Sequence, residues 1–384
     1  MLTTPSDDAD REDDDRAILT IDLGAVVENW QLIQREAAPA EAAAAVKADG
    51  YGLGMARVAP ALAAAGARTF FVATAREGAA LRALLPAPDI YILNGVAAGG
   101  ADALHEHRLR PCLCSLDQLA TWRMRGKGWP AALHIDTGIN RLGLAPDDVA
   151  QLAGDRSPMA GIEISLVMSH LACGDDPAHD LNRRQLADFH AARQALGLGD
   201  LPSSIAASSG VFLGRDYHLA MVRPGASLYG ITPLAGRPNP MRQVLRLEAK
   251  IIQVRHVERG MTVGYAATHP VKEPGRIAVI GLGYADGFMR ALGNRGQGVL
   301  AGRRVPVVGR VSMDLVTLDV SAIPPELARP GALVELIGPG HSIEELASEA
   351  GTSGYEMLTA LGRRYRRVYI EPAAHGVGDV DPAS

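Results

Sequence analysis

One lysine, Lys47, stands at the end of an apolar run of alanine and valine, and a glycine-rich turn with a single tyrosine, Tyr51, follows it. A lysine at the mouth of a buried strand loses hydration. This favours the neutral amine and lowers its pKa below the usual value of about 10.4. Such an amine can attack a carbonyl group or remove a proton. A strand-end lysine that only extends into solvent is the common alternative, so the position alone makes Lys47 a candidate.

Other unusual polar residues also follow apolar, strand-like segments. After the first segment, which Lys47 ends, they are His134, Asp136, Asn140 and Arg141 at the fifth, Ser169 and His170 at the sixth, Ser208 and Ser209 at the seventh, and Arg223 at the eighth. Enzymes built on a (β/α)8 barrel place their chemistry at the carboxyl ends of the strands. The position of these residues at the ends of the predicted strands indicates that they form one shared site.

The elements that would position these residues form a repeating pattern. Strand-like segments occur at 43–48, 69–75, 90–95, 110–115, 132–138, 164–170, 203–209 and 221–229, and helical spacing lies between most of them, for example at 55–65, 76–85, 115–125 and 179–196. Eight strands alternating with helices in about 220 residues predict a (β/α)8 TIM-type barrel. An open doubly wound sheet gives a similar pattern and remains the alternative.

The residue composition of the chain changes after a linker rich in proline and glycine at 232–241. Short alternating runs rich in valine, isoleucine and glycine follow, at 249–257, 275–283, 298–301, 305–308, 315–320 and 333–337. They predict a C-terminal β-rich domain. We therefore expect a disordered acidic tail at 1–16, the barrel at 17–240 and the β domain at 241–384.

Composition excludes several classes of protein. Of the 384 residues, 47% are hydrophobic and 21% charged, and no stretch approaches the roughly 18 apolar residues of a membrane span. The first sixteen residues hold seven acids and two arginines, which accounts for the whole net charge of -5, so the balanced remainder argues against nucleic acid as a partner. The tail lacks the pattern of a signal peptide, and the three cysteines are best explained as free thiols. We expect a cytoplasmic protein that contacts neither membranes nor nucleic acid.

The lysine segment resembles the pyridoxal-phosphate motif of the alanine racemase family, Val-Lys-Ala-Asn-Ala-Tyr-Gly-His-Gly. Lys47, Tyr51, Gly52 and Gly54 keep that motif, and Asp49, Gly50 and Leu53 depart from it. Eight further family motifs follow in order at 134–143, 169–173, 206–210, 222–230, 263–268, 283–287, 309–314 and 354–361. One motif would be weak evidence, but nine in order indicate membership of this fold type III family.

The resemblance implies a racemase that works with two bases and pyridoxal 5'-phosphate (PLP). Lys47 would carry the cofactor covalently and act as the base facing the D-enantiomer. Tyr265 would be the second base, supplied by the other subunit of a homodimer, and His170 with Arg223 would form the network that lowers its pKa. A domain-interface aromatic that bonds through its hydroxyl is the alternative for Tyr265.

Arg223 would face the pyridine nitrogen of the cofactor. A guanidinium cannot give up its proton, so the ring would stay unprotonated and remain a weak electron sink, which disfavours transamination. PLP-dependent decarboxylases with the same barrel place a carboxylate there, and residues 222–225 contain no acid. The alternative is an arginine that caps a helix.

The remaining roles implied by the family are binding roles. For the phosphate, the expected donors are the hydroxyls of Tyr51, Ser209 and Tyr355 and the amides around Ser209, Gly225 and Ala226, with Ser208 standing where the family often has asparagine. For the small amino-acid substrate, the expected contacts are Arg141 and the amide of the partner's Met313, with Tyr284 narrowing the entrance. We expect Asp286 to be a turn residue and the protein to bind no metal.

One departure from the family affects the substrate arginine. Many members carry a carbamylated lysine where this chain has His134, and a histidine cannot carry that modification in the same way. Arg141 would then be oriented by another anion, by Asp136, or by His134 as a neutral acceptor. The sequence leaves this open.

The sequence is compatible with two other functions. One is a PLP-binding protein without turnover, although such chains lack a β domain. The other is a racemase of broader range that accepts serine or basic amino acids. The sequence also leaves open whether the enzyme would supply D-alanine for peptidoglycan or break it down.

Overall fold

A computed structural model describes residues 16–126 and 128–372. Almost all of the expected acidic tail lies outside the described residues, and so do Lys127 and residues 373–384.

Eight parallel strands form a closed barrel, as the sequence predicted. Barrel strands 1 to 8 are, in order, Glu41–Ala42 continued by Ala44–Ala45, Thr69–Val72, Asp89–Ile92, Arg110–Leu113, Ala131–His134, Ile164–Met168, Ser203–Ser204 and Met221–Val222. Strand 8 closes the ring because it pairs with both of its neighbours. The Ala43 amide donates to the Val222 carbonyl and the Arg223 amide to the Ala206 carbonyl, each at 2.9 Å.

Helices cover the outside of the barrel. They span Leu23–Ala37, Met55–Ala64, Ala75–Leu84, Ala101–Glu106, Leu116–Arg125, Pro146–Gly154 and Asp180–Ala195. Their starts are encoded locally: the Ser115 hydroxyl accepts the Gln118 amide at 3.2 Å, and Thr74 and Glu77 form a reciprocal capping box. No helix in the described part of the chain is both long and apolar enough to cross a membrane.

The barrel interior is filled by alternate strand residues. Its packed layer consists of Ala43, Ala45, Phe71, Tyr91, Cys112, Ala132, Leu166 and Met168. The rings of Phe71 and Tyr91 stack with centroids 5.0 Å apart. Cys112 and Cys114 are buried free thiols, and Cys173 is also free, as expected from the composition. The interior is therefore a packed core, and space for a ligand is left only at the ends of the barrel.

The second domain is built on strands, with two helices before its last strand. Its strands are Ala17–Asp22, Leu245–Val257, Thr262–Val263, His269–Pro270, Gly275–Ile280, Gln297–Leu300, Arg303–Pro306, Val316–Asp319, Leu333–Ile337 and Arg366–Ile370, and its helices are Ile343–Ala350 and Gly354–Ala360. The long strand Leu245–Val257 pairs with Ala17–Asp22 and Leu333–Ile337 along its first half and with Gly275–Ile280 along its second. The predicted barrel-plus-β architecture is confirmed.

Two details differ from the expectation. The strand Ala17–Asp22, which we placed in the barrel with residues 17–240, lies in the sheet of the second domain between Leu245–Val257 and Arg366–Ile370. Antiparallel pairing with the long strand buries Leu19 and Ile21 there completely. The two C-terminal helices were not predicted.

Candidate active site

A cavity of about 910 Å³ opens at the carboxyl ends of the barrel strands. Eleven residues singled out from the sequence line it: Lys47, Tyr51, His134, Arg141, His170, Ser208, Ser209, Arg223, Gly225, Ala226 and Tyr355. Tyr355 comes from the helix Gly354–Ala360, so the second domain closes one side of a site that is otherwise built by the barrel. The juxtaposition agrees with the expectation that these residues act together.

Lys47 enters the cavity from an unusual turn. Ala48, Asp49 and Gly50 have left-handed backbone angles, with φ of 54°, 55° and 63°, and Tyr51 follows with φ of 53°. Left-handed conformations are unfavourable for residues with a Cβ atom, so contacts outside the turn must hold it. Burial lowers the pKa of Lys47, the positive charge of Arg141 lowers it further, and Glu77 acts in the opposite direction. The amine is thus made available at lower pH than an ordinary lysine.

Tyr51 is packed so that its hydroxyl points into a confined space. Its ring stacks on that of Tyr229 at 4.7 Å, and the Tyr229 hydroxyl donates to the Ala45 carbonyl at 3.1 Å. Burial raises the pKa of Tyr51 to about 12, so its hydroxyl remains a donor at neutral pH. A Cβ atom at position 225 would lie 2.2 Å from that hydroxyl, which explains the need for Gly225.

The expected phosphate donors surround one end of the cavity. In the described structure the hydroxyls of Tyr51, Ser209 and Tyr355 have no hydrogen-bond partner, and Ala226 begins a short 3-10 turn with its amide at the free end. A group of neutral donors at strands 7 and 8 of a barrel suits a phosphate, and a lysine amine in the same cavity suits an aldehyde. The donor set therefore fits PLP.

One expected donor is engaged elsewhere. The amides of Gly225 and Ser227 both donate to the Ser208 hydroxyl, at 3.0 Å and 3.1 Å. Ser208, which replaces the family's asparagine, thus organises the turn from inside the protein. The Gly225 amide would reach a phosphate only by sharing or releasing this bond.

Arg223 is buried, and two hydrogen bonds fix its guanidinium. It donates to the Ser204 hydroxyl and, at 2.5 Å, to the Ser169 carbonyl. Burial lowers the pKa of Arg223 to about 10, which still leaves the guanidinium charged at neutral pH. Arg223 lines the same cavity as Lys47.

His170 and His134 are held as neutral imidazoles. Burial and the charges of Arg223 and Arg141 lower the pKa of His170 to about 3, and burial and Arg223 lower that of His134 to about 4. Neither ring nitrogen of His134 has a hydrogen-bond partner in the described structure. His134 lines the cavity, so an unsatisfied polar group faces the space where a ligand would lie.

Arg141 is exposed at the edge of the cavity. Asp136, one of the groups expected to orient it, instead accepts the amides of Gly138 at 2.8 Å and Ile139 at 3.0 Å. Asp136 therefore shapes the loop that carries Arg141.

Three expected site residues lie elsewhere. Tyr265, Tyr284 and Met313 belong to the second domain, and none of them is among the described residues that line the cavity. They are 71%, 43% and 54% exposed. The Tyr284 amide donates to the Ser312 carbonyl and the Ala285 amide to the Met313 carbonyl, both at 3.0 Å, so two of the three residues lie on adjoining loops. Exposure of large side chains on one domain is typical of a surface that another molecule covers.

Asp286 has a larger structural role than that of a turn residue. Its carboxylate accepts the Gly283 amide at 2.8 Å and forms a two-point ion pair with Arg364, at 2.6 Å and 2.8 Å. Arg364 also donates to Asp314 at 2.7 Å. The pair therefore links the residue after Met313 to the turn that carries Tyr284.

Sequence reasoning missed three residues that support the site. They are Ser204 beneath Arg223, Tyr229 beneath Tyr51, and Glu77, which accepts the Ala48 amide at 2.7 Å. Only Glu77 left a readable signal, because Thr74 and Glu77 have the spacing of a capping box.

Comparison with known proteins agrees with this architecture. Residues 21–233 match the family "Alanine racemase, N-terminal domain", and residues 244–369 match "Alanine racemase, C-terminal domain". An alanine racemase of Rhodospirillum rubrum is 49% identical over 364 residues, which is 93% of this chain and 97% of that protein. In Agrobacterium fabrum, a catabolic alanine racemase is 46% identical (92% of each chain) and a biosynthetic one is 44% identical (92% of this chain and 93% of that protein).

Solved structures give the same result. The alanine racemase of Bartonella henselae with covalently bound pyridoxal phosphate superposes with a TM-score of 0.89 at 38% identity, covering 92% of this chain and 99% of that one. The biosynthetic enzyme of Pseudomonas aeruginosa has a TM-score of 0.85 at 35% identity, covering 93% and 99%. With both domains matched in order and nearly the whole length covered, the chain belongs to the alanine racemase family.

Proposed function

We propose that this protein is an alanine racemase that interconverts L-alanine and D-alanine with PLP. The observation that carries the proposal is the single cavity lined by Lys47, Tyr51 and Arg223 at the carboxyl end of the barrel. When bound, PLP withdraws electrons from the α-carbon of an attached amino acid and so makes its proton removable. The relative from Bartonella henselae, which carries the cofactor covalently, supports the same assignment.

Lys47 would hold the cofactor and exchange one proton. Its half-buried position and the nearby Arg141 favour the neutral amine, which is the form that removes a proton. We assign its Nζ atom to the face of the α-carbon that is protonated in D-alanine. The left-handed turn aims Nζ into the cavity and keeps it beside Tyr51, whose hydroxyl is a phosphate donor in this proposal.

Tyr265 would exchange the proton on the opposite face through its phenolic oxygen. Within one chain it is exposed and lies outside the cavity, so we infer that it completes the site of a second subunit. Met313 and Tyr284 would accompany it, Met313 through its amide and Tyr284 as a wall of the entrance. The proposed assembly is a homodimer with two shared sites.

Arg223 would set the chemistry of the ring and Arg141 would hold the substrate carboxylate. The bonds from Arg223 to Ser204 and Ser169 fix its charge at the floor of the cavity. Arg141, at the cavity edge, is free to form a two-point contact with a carboxylate or to reach the cofactor's phenolic oxygen. His170, which is kept neutral by burial and by the charge of Arg223, would be the member of this network nearer to Tyr265.

Two finer points belong to the proposal. The relatives include enzymes named catabolic and biosynthetic at similar identity, so we assign no physiological direction to the reaction. Both the supply of D-alanine for peptidoglycan and the breakdown of D-alanine are consistent with the site. We infer a cytoplasmic location, which the three free thiols support.

A racemisation assay across the amino acids tests the function. We expect the purified protein with PLP to convert each enantiomer of alanine into the racemate, and to act more weakly on serine. Stronger turnover of serine or of basic amino acids would favour the broader enzyme. Bound cofactor without turnover of any amino acid would favour the non-catalytic alternative, against which the second domain with Tyr265 argues.

A further inference from the structure

The carboxylate of Glu77 joins two segments that border the cavity, the turn after Lys47 and the chain at Ala73 and Thr74. One oxygen accepts the Ala48 amide at 2.7 Å, and the other accepts the amides of Ala73 at 2.8 Å and Thr74 at 3.2 Å. The Thr74 bond belongs to the capping box of the helix Ala75–Leu84. The Ala48 bond does not, because Ala48 follows a different barrel strand. Helix capping alone therefore does not explain where this carboxylate lies.

The Ala48 amide begins the left-handed turn that carries Lys47 into the cavity. Inside the turn, the Gly50 amide donates to the Val46 carbonyl at 2.9 Å and the Gly52 amide to the Ala48 carbonyl at 2.8 Å. In the described structure the Ala48 amide has only Glu77 as its partner. The Asp49 carboxylate makes a different contact and accepts the Met55 amide at 2.9 Å. The start of this unfavourable backbone conformation, next to Lys47, is thus anchored by Glu77 from outside. Its far end is held separately, because Arg367 donates to the Gly52 carbonyl at 2.8 Å and the Tyr369 hydroxyl to the Leu53 carbonyl at 3.0 Å.

We propose that Glu77 is a positioning residue for Lys47: it anchors the left-handed turn through the Ala48 amide and places a negative charge beside the amine. The inference rests on the proposed role of Lys47 as the cofactor lysine. The charged groups that act on this amine are Glu77 and Arg141, with opposite sign, while His170 nearby is neutral.

Because Glu77 and Arg141 act on the Lys47 amine with opposite charges, the proposal predicts a pH dependence that a purely structural role would not produce. Covalent capture of PLP by cofactor-free protein requires the neutral Lys47 amine, so its rate rises with pH around the pKa of that amine. Removing the negative charge of Glu77 makes deprotonation easier and shifts the midpoint to lower pH. Removing the positive charge of Arg141 shifts it to higher pH.

The experiment measures the rate of PLP attachment against pH, by absorbance, with borohydride reduction and mass spectrometry to locate the label. In Glu77→Gln we expect the midpoint to fall by about half a pH unit or more, and in Arg141→Gln to rise. Thr74→Ala is the matched control, because it removes the acceptor for the Glu77 amide in the same capping box and leaves the Ala48 contact intact. It should lower the melting temperature yet keep the parental midpoint.

If Glu77→Gln keeps the parental midpoint and its melting temperature falls as much as that of Thr74→Ala, then Glu77 acts only as a helix cap. That result would overturn the proposal. If Glu77→Gln does not fold, Glu77→Asp replaces it. This variant keeps the charge and shortens the reach, so capture at high pH should be several-fold slower than in Thr74→Ala, and equal rates would contradict the inference. A parent protein that attaches PLP at another lysine would instead refute the proposed function.

Discussion

The guanidinium of Arg223 donates to the backbone carbonyl of Ser169 at 2.5 Å, which ties the end of barrel strand 8 to the end of strand 6. A second bond, to the Ser204 hydroxyl, ties it to strand 7. A carbonyl can only accept, so this geometry requires a donor at position 223. The charge facing the cavity is therefore set by the hydrogen bonding of the barrel itself.

Replacing Arg223 by Glu tests that charge. A carboxylate would face the Ser169 carbonyl, which lowers stability, and it would allow the pyridine nitrogen of bound PLP to be protonated. We expect racemisation to slow by roughly 100-fold or more, and the ratio of transamination to racemisation to rise, measured as pyruvate released per D-alanine formed.

Ser204→Ala is the control for the loss of one hydrogen bond, because it keeps the guanidinium. It should retain most activity and the parental product ratio. If Arg223→Glu racemises as fast as the parent and releases no more pyruvate, Arg223 has only a structural role.

The barrel could be predicted because its strands are short and buried. Thr69–Val72 is buried at every position, so the run stands out against the amphipathic helices around it. The strand Ala17–Asp22 gives no such signal about its location. Its alternating burial suits any half-buried strand, and its partners, Leu245–Val257 and Arg366–Ile370, lie more than 200 residues further along the chain. Its pairing becomes visible only in three dimensions.

The candidate site, like the fold, has parts that could be predicted from the sequence and parts that could not. Residue types and strand-end positions were enough to nominate Lys47 and Arg223. Other contacts depend on the three-dimensional path of the backbone. The Gly225 amide donates to the Ser208 hydroxyl because the loops that carry these two residues lie next to each other, and the sequence alone does not show that proximity. The helix Ile343–Ala350 was predictable in principle, because Ser342 and Glu345 form a capping box at its start.

Borohydride reduction should identify the lysine that carries the cofactor. The sequence has four lysines, and of the three that lie in the described part of the chain only Lys47 lines the cavity. We expect the protein purified with PLP to be yellow and, after reduction and digestion, to carry one pyridoxyl group on the peptide that contains Lys47. A label on Lys127, Lys250 or Lys272, or no bound cofactor, would contradict the assignment. Lys47→Arg keeps a positive charge and should carry no label.

The two histidines that line the cavity, His134 and His170, predict how stability depends on pH. Their pKa values of about 4 for His134 and about 3 for His170 lie below the ordinary value of 6.5. At pH values between each lowered pKa and 6.5, the unfolded chain binds protons that the folded chain does not. The free energy of unfolding should therefore fall as pH drops below 6.5, approaching about 1.4 kcal/mol per pH unit for each histidine, and these groups should contribute no slope above it.

Chemical denaturation of the cofactor-free protein at fixed concentration, from pH 7.5 to 5, measures this slope. His134→Gln should reduce it, whereas His190→Gln, on an exposed face of the helix Asp180–Ala195, should leave it unchanged. Equal slopes in the parent and in His134→Gln would mean that His134 takes up its proton at the same pH in the folded and the unfolded protein, and would contradict this prediction.

The exposure of Tyr265 outside the cavity of its own chain leads to a test of the shared site. Lys47→Ala and Tyr265→Phe should each be nearly inactive alone, since each lacks one of the two bases. After mixing and complete subunit exchange, about half of the dimers would contain one chain of each kind. If the bases of a site come from different subunits, each mixed dimer has one site with both bases and one with neither, so activity should return to roughly a quarter of the parental value. Mixing Lys47→Ala with Lys47→Arg is the control, because no arrangement of those chains restores a lysine. If Tyr265 serves the lysine of its own chain, no mixed dimer contains a complete site, and the exchanged mixture of Lys47→Ala and Tyr265→Phe would stay as inactive as its parts.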